Sequence, residues 1–69
     1  MTIQEAKTVR LGMFTMTERL IAEYEGEPAG RVMAVVARSR RQLVVAGVRG
    51  VGLLDATESI ARTKLSNAA

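Results

Sequence analysis

Two clusters of helix-opposing residues divide this chain into three segments, and that division limits what it can fold into. The first is Gly26-Glu27-Pro28, with a glycine placed to end one helix and a proline placed to begin the next. The second is Gly47-Val48-Arg49-Gly50-Val51-Gly52, in which three glycines within six residues oppose helix. No internal repeat or low-complexity tract accompanies them.

The middle segment carries the strongest periodicity and predicts a helix over about 28–46. At 100° per residue, Val32, Val35, Val36, Ser39, Leu43 and Ala46 gather on one face. A shoulder beside that face holds Met33, Ala37 and Val44, with Arg40 among them. Arg31, Arg38 and Arg41 lie on the far side with Ala34 and Val45. The apolar arc spans roughly 200°, twice the ~100° stripe that a surface helix needs. Gly47 stands where a left-handed C-terminal cap belongs.

The first segment predicts a helix over about 15–25, because Thr15 and Glu18 form a capping box ahead of Leu20 and Tyr24. Thr2 and Glu5 form a second box. Ile3, Ala6, Val9, Met13, Met16 and Leu20 then continue at helical spacing, so a helix beginning at residue 3 is the alternative. Val9, Leu11 and Met13 also alternate, and Gly12 weakens a helix interior by about 1 kcal/mol. Residues 1–10 therefore stay open. The last segment predicts a helix over about 55–66, with Asp55 as N-cap, Glu58 completing a box, and Leu54, Ala61 and Leu65 inward. Residues 67–69 are expected to fray.

With 69 residues there is one domain, and a chain this short buries only about 60% of its unfolded surface. Disulfides, metals or oligomerisation commonly offset that shortage. The chain has no cysteine and no histidine, which leaves neither thiolate nor imidazole for metal binding or base catalysis. The expectation is no catalytic residue, no cofactor and no metal, hence not an enzyme. The start Met1-Thr2-Ile3-Gln4-Glu5 resembles no secretory leader, and Gln42–Leu54 is too short and interrupted to span a bilayer. A cytoplasmic protein without membrane contact is expected.

The net charge of +3 conceals an asymmetry. Residues 1–27 hold three basic and five acidic side chains, whereas residues 28–52 hold five arginines and no acid. Such segments can pair within a chain or between chains. Asp55 and Glu58 are read as helix caps, and Ser39 as a small residue on a packed face. Gly47-Val48-Arg49-Gly50 matches the spacing of a nucleic-acid-clamping GxxG loop but lacks the strands that loop requires, so it is read as a connection. Arg31, Arg38 and Arg41 are the candidate contacts for DNA or RNA. Against that reading, the third helix opens with two carboxylates, and no aromatic residue accompanies the arginines.

From Arg19 to Leu65 the chain resembles actinobacterial three-helix bundle dimerisation domains. These occur alone and as N-terminal helical extensions of arsenate reductases related to low-molecular-weight phosphatases. The resemblance rests on Arg19-Leu20-Ile21-Ala22-Glu23-Tyr24, on Val32-Met33-Ala34-Val35-Val36-Ala37, and on Ile60-Ala61-Arg62-Thr63-Lys64-Leu65. It implies dimerisation and carries over no enzymatic residue.

The combined expectation is an all-α, antiparallel three-helix bundle. Its core would be Leu20, Tyr24, Val32, Val36, Leu43, Leu54, Ala61 and Leu65. It would homodimerise through Met33, Ala37, Arg40 and Val44, with Glu18, Glu23 or Glu25 of one copy meeting Arg40 or Arg41 of the other. A small basic nucleic-acid-associated protein is the alternative.

Overall fold

The computed structural model describes residues 2–67, which form three helices: α1 (Ile3–Glu23), α2 (Ala29–Val45) and α3 (Gly52–Asn67). Each helix packs on both others. The residues bonded between α1 and α3 fix their relative direction. Arg19 meets Glu58, Arg62 meets Glu23, and the Tyr24 hydroxyl lies 3.1 Å from Ser66 Oγ. At the other end Leu54 lies over Gly12. α1 and α3 thus run the same way, and α2 returns between them through two short loops.

α1 is one continuous helix, which corrects the expected start at Thr15. Thr2 is the N-cap: its Oγ1 accepts from the Glu5 backbone N–H at 3.0 Å. Thr15 lies exposed in mid-helix. The segment left open as 1–10 is helical from Ile3, because Val9 falls on the same side as Met16 and Leu20 and is buried with them. Leu11, which alternated with Val9 in the sequence, faces outward. The helix ends at Glu23, before Gly26, with Tyr24 as C-cap.

α2 begins after Pro28, whose carbonyl accepts from Arg31 and Val32. Its end is a Schellman motif. The Val48 N–H donates to the Leu43 carbonyl at 2.9 Å and the Gly47 N–H to the Val44 carbonyl at 3.0 Å, with Gly47 at φ +93°. The glycine cap expected from the sequence is therefore present.

α3 starts three residues earlier than expected, so Asp55 lies inside its first turn and is not the N-cap. That shift changes which leucine is inward. Leu53, Thr57, Ala61 and Leu65, each four apart, are buried, while Leu54 is half-buried at the edge. The central cluster is Met16, Leu20, Val32, Val36, Ala61 and Leu65, with Met13, Ile21, Tyr24 and Val35 packed around it. Tyr24 and Leu43, expected in the core, are half-buried. Asn67, expected to fray, is helical, and Ala68 and Ala69 lie outside the described residues.

Two polar residues share the interior. Ser39 donates to the Val35 carbonyl at 2.8 Å, which satisfies its hydroxyl within its own helix. Thr57 Oγ1 is buried and has no hydrogen-bond partner among the described residues.

Candidate interaction surface

α2 buries Val32, Val36 and Ser39, and half-buries Val35 and Leu43. The shoulder beside them remains open. Met33 is 51% exposed and Val44 49%, and Ala37 and Arg40 between them are exposed as well. The arc read from the sequence is thus wider than α1 and α3 cover.

Arg40 and Val44 line a groove of about 580 Å³ whose opposite wall is α1. Val9, Met13 and Leu53 form its apolar floor, and Arg10, Arg40 and Arg49 surround it. One step around α1 from Arg10 stand Phe14 and Leu11, 66% and 68% exposed. These two were missed as surface residues in the sequence. Their 3–4 spacing with Lys7 and Glu18 was readable, but only once α1 is known to be helical through them. The accessible surface of 4732 Å² exceeds the about 4200 Å² expected of a compact 7.4 kDa monomer.

The charges divide by position. At the C-terminal ends of α1 and α3, Arg62 bridges Glu23 and Glu58, and Arg19 adds a 2.6 Å bond to Glu58. Glu58 is therefore the centre of an interhelical ion-pair network and not half of a capping box. The Arg62 hydrogen bonds hold the Glu23 carboxyl below its usual range, and Glu23 and Glu58 raise Arg62 in turn. Glu23, expected among the contacts to a second copy, is already engaged inside the chain. Arg31, a candidate nucleic-acid contact, pairs with Glu27 at 2.8 Å. Arg38 and Arg41 are exposed, and among the described residues neither has an ion-pair partner. The same holds for Lys7, Arg10, Arg40 and Arg49, and for the acids Glu18 and Glu25.

Gly47 and Gly50, the pair matching a GxxG spacing, both adopt positive φ in the α2–α3 connection. Turn geometry accounts for both. Among the described residues no helix is long and apolar enough to cross a membrane, and no acidic cluster could hold a metal ion. No family model matches the chain, and neither the curated proteins nor the solved structures contain a match to it.

Proposed function

We propose that this chain is a non-enzymatic protein–protein interaction module that pairs with a second copy of itself in the cytoplasm. The observation that carries the reading is the number of large apolar side chains left exposed on α1 and α2, among them Leu11, Phe14, Met33 and Val44. A 69-residue chain has little apolar surface to spare, so leaving this much open favours a partner that covers it. The resemblance of Arg19–Leu65 to three-helix bundle dimerisation domains points the same way.

The test is oligomeric state by sedimentation, together with thermal melting across a range of protein concentrations. Only the folded dimer covers such side chains, so its melting temperature rises with concentration. Val44→Glu shifts the protein towards monomer and lowers that temperature. Ala34→Glu, an exposed position on the far side of α2, does neither. A monodisperse monomer at tens of micromolar, melting identically at every concentration, refutes the proposal.

A second reading is favoured by one observation, the absence of ion-pair partners for Arg38 and Arg41 among the described residues. Under it the chain binds DNA or RNA, with an affinity that falls steeply with salt as counterions are released. Tight duplex binding lost on replacing both arginines with Gln would support this reading over dimerisation.

A further inference from the structure

The outward face of α1 carries Gln4, Lys7, Leu11, Phe14 and Glu18, all exposed, at alternating spacings of three and four. That is the spacing of a coiled-coil seam. It lies roughly opposite Val9 and Met16, which α1 buries against its own bundle. The centre of the seam is apolar and the flanks are charged.

The seam is complementary to itself only when reversed. Leu11 and Phe14, and likewise Lys7 and Glu18, are equidistant from a point between Gly12 and Met13. A two-fold axis through that point sets Leu11 of each copy against Phe14 of the other. It also sets Lys7 of each copy against Glu18 of the other, about 8 Å along the helix from the axis. A parallel pairing in register would instead set lysine on lysine and glutamate on glutamate.

Neither charge is matched by a neighbour on its own helix. The helical neighbours of Lys7 are Ile3, Gln4, Arg10 and Leu11; those of Glu18 are Phe14, Thr15, Ile21 and Ala22. None is of opposite sign, and among the described residues no ion pair engages either. We infer that a second copy of this chain docks antiparallel on the outer seam of α1, with two Lys7–Glu18 pairs flanking a Leu11–Phe14 centre. This inference rests on the homodimer reading and gives it a register.

Charge reversal tests the register. Lys7 and Glu18 are exposed, so Lys7→Glu and Glu18→Lys leave the monomer fold intact, as circular dichroism verifies. Each single variant places like charges at both flanks, and sedimentation should show dimerisation weakened about tenfold. The double variant regains wild-type affinity. An equimolar mixture of the two single variants forms the heterodimer, because each supplies the charge that the other lacks. A wild-type dimer unchanged by either single variant overturns the register while leaving homodimerisation standing. A wild-type monomer overturns both.

Discussion

Gly12 illustrates how one residue can carry opposite meanings in sequence and structure. In a helix interior glycine costs about 1 kcal/mol relative to alanine, which counted against a long first helix. The structure supplies the compensating contact: a Cβ at Gly12 would stand 2.6 Å from Leu54 Cδ1 and 3.3 Å from its Cγ. The glycine lets α3 approach α1 closely, and Leu54 occupies the space where a side chain would be. Gly12→Ala must displace the Leu54 side chain, so it should fall short of the about 1 kcal/mol that its gain in helix propensity alone would give. In a Leu54→Ala background the same substitution should stabilise it by about 1 kcal/mol. Denaturant melts of the four proteins measure the coupling, and an equal effect of Gly12→Ala in both backgrounds would refute it. Such a contact joins residues 42 apart, so no local pattern could have announced it.

At the scale of elements, the number of helices and the α2–α3 cap were legible because each follows from chemistry within a few residues. The starts of α1 and α3 were not. Thr2/Glu5 and Thr15/Glu18 present the same box, and a box cannot report whether the chain before it is already helical. Burial of Val9 decided for Thr2. Asp55/Glu58 misled in the same manner, since Glu58 serves Arg19 and Arg62 across the bundle. Gly47 was legible because the αL cap is a backbone requirement with one favoured residue. Nothing lies within 4 Å of a Cβ at Gly47 or at Gly26, so sterics cannot separate the two sites. Backbone conformation does, because Gly47 has φ +93° and Gly26 does not adopt a positive φ. Gly47→Ala should cost about 1–2 kcal/mol of stability, and Gly26→Ala should be neutral or slightly stabilising. Equal chemical-denaturation midpoints for the two variants would contradict the assigned cap.

The whole molecule is electrically divided. The end where α1 and α3 finish is held by Glu23, Glu58, Arg19 and Arg62, while Arg10, Arg40 and Arg49 stand around the groove without an ion-pair partner among the described residues. The sequence showed that acidic and basic segments exist but not which charges the fold uses internally. That depends on α1 and α3 running parallel. The internal use of Glu23 has a pH signature. Its carboxyl is held below the usual range by the hydrogen bonds from Arg62, so its folded-state pKa is lower than its unfolded one. A depressed carboxylate contributes stability above the unfolded pKa and loses it as pH falls through the folded value. Glu23→Gln should thus be less stable than wild type at neutral pH. The difference should shrink from the ordinary glutamate range downward and vanish once the wild-type carboxyl is protonated. Because the pair is solvent-exposed, the difference should be small and reduced by salt. Denaturation midpoints of both proteins from neutral to strongly acidic pH, at one fixed protein concentration, provide the measurement. A difference that persists unchanged at the acid end would show that Glu23 acts through packing and not through its charge.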